Sequence, residues 1–97
     1  MVKGYWVAHV DIDDAQEYEK YKAANAAVFA RYGARFLVRG APQEQVEGKG
    51  RARTVVLEFP SLQAARDCYF SAEYQAAKAL RDPVSAGDFV IVEGYDP

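Results

Sequence analysis

The chain has 97 residues, enough for one domain built round a single core. Half of them are hydrophobic (51%), which excludes a disordered chain, and a net charge of −2 gives no electrostatic footprint for nucleic acid or an anionic membrane. The single cysteine allows neither an internal disulfide nor a cysteine-based metal cluster, so a reduced, cytoplasmic setting is the default expectation.

Tyr5 to Ile12 alternates in the manner of a strand, with Trp6, Ala8, Val10 and Ile12 on one face and Tyr5, Val7, His9 and Asp11 on the other. His9 and Asp11 also interrupt the apolar start that a secretory signal needs, and no apolar run approaches the roughly 20 residues of a membrane span. Asp13 or Asp14 then caps a helix, with Gln16 or Glu17 three positions on as the capping-box partner. The helix runs to about Tyr32, where Gly33 suits the left-handed closing residue. Its stripe is Tyr18, Tyr21, Asn25, Val28, Phe29 and Tyr32, so an amide stands where an apolar residue is expected.

Arg35 to Gly40 is the second strand, with Phe36 and Val38 opposite Arg35, Leu37 and Arg39. A polar connection from Ala41 to Ala52 follows, in which Gln45-Val46-Glu47 is a candidate short strand. Thr54 to Phe59 is the third strand. Pro60 ends it, and Ser61 caps a helix whose Leu62, Ala65 and Tyr69 share a face. Ser71-Ala72-Glu73 restarts that helix, with Tyr74, Ala77 and Arg81 on one side, and Asp82-Pro83 stops it. Asp88 to Tyr95 is the last strand.

The order β-α-β-β-α-β is that of an α+β, ferredoxin-like sandwich. Right-handed crossovers predict an antiparallel four-stranded sheet in the order 4-1-3-2, with both helices on one face. Alternation assigns Trp6, Ala8, Val10, Phe36, Val38, Val55, Leu57, Phe59, Val90 and Val92 to the helix side. It assigns Tyr5, Val7, His9, Leu37, Arg39, Val56, Glu58, Phe89, Ile91, Glu93 and Tyr95 to the other. That second array exceeds the largest apolar patch of a typical monomer, so the expectation is a homodimer joined sheet to sheet through Val7, Leu37, Val56 and Ile91.

Six segments carry a resemblance. They are Gly4-Tyr5-Trp6, Ala24-Asn25-Ala26, Tyr32 to Gly40, Glu58-Phe59-Pro60-Ser61-Leu62, Tyr69-Phe70-Ser71-Ala72-Glu73-Tyr74-Gln75 and Val92-Glu93-Gly94-Tyr95. Together, in order and spacing over nearly the whole chain, they resemble the DUF1330 family of small bacterial proteins of unknown function. The resemblance implies a dimeric α/β barrel. It lends no catalytic residues, and the wider superfamily includes cofactor-free oxygenases, isomerases and haem enzymes. One departure is Ala72, where the family pattern leads one to expect a proline.

Asn25 is the sharpest chemical signal, because a buried amide needs partners for its carbonyl and its N–H groups. Either it faces a cleft with Tyr69, Tyr74 and Trp6, where a ligand bonds it, or it holds the helix to the sheet through a backbone group. His9 with Glu58 on the neighbouring strand could act as a general base, or could be a satisfied pair under a dimer. Arg35, Arg39 and Glu93 complete that polar cluster, as ion pairs or as an anion site. Cys68 reads as packing.

These features favour a homodimer that binds a small, largely apolar or aromatic molecule between helices and sheet, with no cofactor. The alternatives are a cofactor-independent oxygenase or isomerase and a non-catalytic structural or regulatory dimer. Arg53-Thr54-Val55-Val56-Leu57-Glu58 lacks the aromatic signature of an RNA-recognition sheet, and clustered metal ligands are missing.

Overall fold

In the computed structural model, which describes residues 2–96, every α-helix begins where a short polar side chain precedes an apolar stripe. Asp14 Oδ1 accepts from the Glu17 N–H and opens α1 (Ala15–Arg31). Ser61 Oγ accepts from Ala64 N–H at 3.0 Å and opens α2 (Leu62–Phe70). Ser71 ends α2 and caps the next helix, α3 (Ala72–Arg81), so one serine turns the chain between two short helices. Gly33 closes α1 at φ +72°, a conformation that costs other residues dearly. Asp82–Val84 forms a single 3₁₀ turn beyond α3.

Four strands, β1 (Gly4–Ile12), β2 (Arg35–Arg39), β3 (Arg53–Phe59) and β4 (Ser85–Glu93), form one antiparallel sheet in the order β2-β3-β1-β4. This is the ferredoxin-like plan expected from the sequence. The helices lie on one face over Trp6, Ala8, Val10, Leu57 and Phe59, all buried, and the molecule measures only 17 Å across its thinnest direction. That thickness holds one sheet and one helix layer at the usual spacing of about 10 Å, leaving the other sheet face bare. Gly4 is buried where β1 passes under the start of α2. A Cβ there would lie 2.5 Å from the Ser61 carbonyl oxygen. Among the described residues no helix is long and apolar enough to cross a membrane.

The connection between β2 and β3 is exposed from Ala41 to Gly50 and contains no strand, so Gln45-Val46-Glu47 does not pair. It is moored at its far end. Arg51 meets Asp11 and Asp88 at 3.0 Å each, and Ala52 N–H donates to Asp11 Oδ1 at 2.9 Å.

Two strands differ from their alternation. In β4, Phe89 pairs with Ala8 and Ile91 with Trp6, which puts Phe89 and Ile91 on the helix side and Val90 and Val92 outside. The strand is apolar on both parities, so alternation cannot decide its hand, and the larger side chains take the side with the larger space. Glu93, opposite Gly4, follows the helix-side parity at the exposed strand end, and Tyr95 lies beyond the strand. In β2, a bulge at Leu37 advances the register between Phe36 and Val38. Val38 therefore turns outward against Val56, and Arg39 turns inward against Val55.

Candidate functional site

A recess lies between α1 and the middle of the sheet. The helix stripe supplies Tyr18, Tyr21, Asn25 and Phe29, and the sheet supplies Trp6, Ala8 and Val10 with Phe36, Val55, Leu57 and Phe89 beneath. Ala8, flanked on the neighbouring strands by Val55 and Phe89, carries only a methyl group, so the floor dips at that point. The recess is small, a cavity of about 30 Å³, room for about two waters.

Asn25 is 4% exposed, and its Oδ1 has no hydrogen-bond partner among the described residues. Such an orphaned acceptor costs about 1–3 kcal/mol. Arg53 lies opposite Val10 and therefore also faces the helix side, and its buried Nε likewise lacks a partner. Its guanidinium packs over Gly40, in the space that a side chain at residue 40 would fill. The glycine, at φ +70°, thus serves both the turn and the arginine. Arg39 is the one exposed residue of the lining, with its guanidinium carbon 4.2 Å from the Phe36 ring centre. Lys22 completes the set and pairs with Glu19 at 3.1 Å. The lining holds three cations and no carboxylate.

The other tyrosines expected at this site stand elsewhere. Tyr74 and Tyr69 pack on Trp6 with ring centres 4.8 and 5.6 Å from it, and neither lines the recess. The Trp6 Nε1–H donates to the Ala65 carbonyl at 2.8 Å, tying α2 to the sheet. Tyr74, fully buried, shares a 2.8 Å hydrogen bond with the Tyr21 hydroxyl and accepts a long one from Arg81 Nε. Burial, then the neighbouring Tyr21, pushes its phenol well above the ordinary tyrosine range, so it stays protonated. Arg81 is buried too, with its guanidinium carbon 4.1 Å from the Phe89 ring centre. Burial likewise pushes the Cys68 thiol up to about 12, which leaves it without thiolate character.

The polar cluster of the bare sheet face divides in two. Glu58 accepts from Arg35 Nε at 2.9 Å and from the Tyr5 hydroxyl at 3.2 Å. His9 stands opposite Thr54, with Nδ1 3.1 Å from its hydroxyl, and does not meet Glu58. The two share a face but lie four residues apart in register, about 13 Å along the strand. The β1–β3 register sets Tyr5, not His9, opposite Glu58, so the expected pair does not form. Arg39 has left this cluster through the bulge, and Glu93 through the parity of β4. Between the two polar groups runs a row of valines across all four strands, Val38, Val56, Val7 and Val90.

Arg53 and Lys22 were not legible as site residues. Arg53 shares the parity of Val55, but the expected strand began only at Thr54, which left Arg53 between the strand and the polar connection. Among the described residues no group of three or more His, Cys, Asp and Glu comes together to hold a metal ion.

The model of a family described as a domain of unknown function, DUF1330, matches residues 3–95. No curated protein matches the chain. Among solved structures, a protein of unknown function from Rhodopseudomonas palustris superposes with a TM-score of 0.77 at 16% identity, covering 99% of this chain and 85% of that one. SnoaB, a cofactor-independent oxygenase from Streptomyces nogalater, gives 0.66 at 16% identity, covering 100% and 97%. A dimeric ferredoxin-like protein of unknown function from Thermobifida fusca gives 0.59 at 17% identity, covering 95% and 89%. At these identities the likeness is one of fold.

Proposed function

The chain belongs to the DUF1330 family and, from that premise, we propose that it is a homodimer that binds a small, largely apolar or aromatic molecule in the recess between α1 and the sheet. The observation that carries this reading is Asn25. Its carbonyl oxygen is buried without a partner among the described residues, in a hollow with an indole and a methyl group for a floor. A guest with an apolar body and one donor hydrogen would meet that oxygen and fill the hollow. Arg39, exposed and held only over Phe36, can swing aside to admit it.

Dimerisation supports the site from the opposite face. The valine row, with Val92 and Leu37 beside it, is a bare apolar strip that a second copy would cover by a two-fold axis. Val90 and Val92 replace Ile91 in that seam. The setting is cytoplasmic in this reading, and no cofactor is needed to bind the guest. A cofactor-independent oxygenase is the second reading. The fold likeness to SnoaB favours it, and oxygen uptake with an electron-rich phenol would reveal it.

Phenol is the probe for the recess, followed through the indole N–H signal of Trp6, the sole tryptophan. Phenol shifts that signal in the wild type, and Asn25→Leu, which keeps the volume roughly constant, loses the binding with thermal stability unchanged or raised. A lower melting temperature with phenol affinity unchanged would show that Asn25 is a structural residue and would overturn the reading.

A further inference from the structure

Two unpartnered polar atoms of opposite sense share this recess, and they specify more than an apolar guest. Asn25 Oδ1 is an acceptor, and Arg53 Nε–H is a donor on a group that does not lose its charge in proteins. Among the described residues no ion pair includes Arg53 or Arg39, and no carboxylate lines the recess. A guanidinium partly withdrawn from water without a counter-ion is costly, and a neutral guest leaves that cost in place.

We propose that the recess selects a small carboxylic acid. Its ring or chain lies against Trp6, its carboxylate is held by Arg53 and Arg39, and a hydroxyl elsewhere on it donates to Asn25 Oδ1. This rests on the binding reading above and names the ligand class for it. The register supports a shared grip: Arg39 faces Val55, and Arg53 stands two residues before Val55 on the same strand face. Diagonal positions of that kind lie about 7–8 Å apart, within reach of two long side chains closing on one group. Arg53 is the fixed half, packed over Gly40. Arg39 is the exposed, movable half, which leaves the Phe36 ring to close over the carboxylate. A single negative charge matches the single withdrawn guanidinium. Lys22, already paired with Glu19, adds only a favourable field at the mouth.

The test compares 4-hydroxybenzoate with 4-hydroxybenzamide, its neutral near-isostere, and with benzoate, which lacks the donor. Each is titrated at neutral pH into the isotope-labelled full chain while the Trp6 indole signal is followed. The acid is expected to bind about tenfold tighter than the amide, a difference of about 1.4 kcal/mol, and several-fold tighter than benzoate. Arg53→Gln is expected to bring the acid-to-amide ratio close to one, and Arg39→Gln to lower it partway. The wild-type ratio carries the decision even if Arg53→Gln does not fold. Equal affinities for acid and amide would overturn the carboxylate assignment and leave the binding site standing. No response to any of the three at millimolar concentration, and none to phenol, would overturn both.

Discussion

The two faces of the sheet solve opposite halves of one problem. On the bare face every polar side chain with a role has found a partner, Glu58 with Arg35 and Tyr5, His9 with Thr54, while the apolar row of Val38, Val56, Val7 and Val90 lies open. On the covered face the apolar groups are packed, with Trp6 held edge-on by Phe29 and Tyr74, while Asn25 Oδ1 and Arg53 Nε go unmet. The bare face leaves apolar side chains open, and the covered face leaves polar atoms unmet. In the reading proposed above, a second chain would answer the first and a small molecule the second.

The largest effect is expected from Val56→Arg, which puts a charge in the middle of the valine row, at the strand that contacts both its neighbours. An interface of on the order of 1,500 Å² should then fail. Light scattering should report monomer or aggregate in place of dimer, and a wild-type protein that is itself monomeric at micromolar concentration would remove the need for a second chain. Phe59→Ala attacks the covered face instead. Phe59 is 1% exposed under Trp6, and its loss should cost about 3–5 kcal/mol in a urea melt with the oligomeric state intact.

Asn25→Leu sharpens the contrast, because it is the one large covered-face substitution expected to leave stability unchanged or to raise it. Relief of the orphaned acceptor amounts to about 1–3 kcal/mol if no compensating contact is lost. Differential scanning calorimetry on the two proteins gives the sign directly. Ser61→Ala lies outside both faces and removes only the acceptor for the Ala64 N–H, so a loss of about 1 kcal/mol should appear in the same melts. A cost equal to that of Phe59→Ala would mean that α2 depends on its cap more than on its packing.

The architecture was legible because the punctuation is local. Asp14, Gly33, Pro60, Ser61 and Ser71 each act within a few residues, and the strand order follows from the element order. The parity of β1 and β3 was legible because His9, Asp11 and Glu58 mark the outer face. In β4, Phe89-Val90-Ile91-Val92 offers no such mark, and the pairing with β1 decides it. The candidate site was half legible. Asn25 and Trp6 declare themselves, the first as an amide in an apolar stripe. Arg39 needed the bulge at Leu37, which no local pattern announces, and Arg53 needed the strand to begin one residue earlier than the expected Thr54. The His9–Glu58 pairing failed on the register of β1 against β3, two strands that are neighbours in the sheet but far apart in the chain.

The strand order has a further consequence for what happens when the backbone is interrupted. A cut anywhere in the exposed stretch from Gln43 to Gly50 would leave β1, α1 and β2 in one fragment and β3, α2, α3 and β4 in the other. In the order β2-β3-β1-β4 the fragments then alternate, so every ladder in the sheet joins one fragment to the other and neither owns a ladder of its own. Each alone would lack a sheet, and reassociation would restore every ladder, with Arg51 and Ala52 meeting Asp11 across the break. A cut at this connection thus divides the sheet between two fragments, each of which needs the other to rebuild any of its ladders.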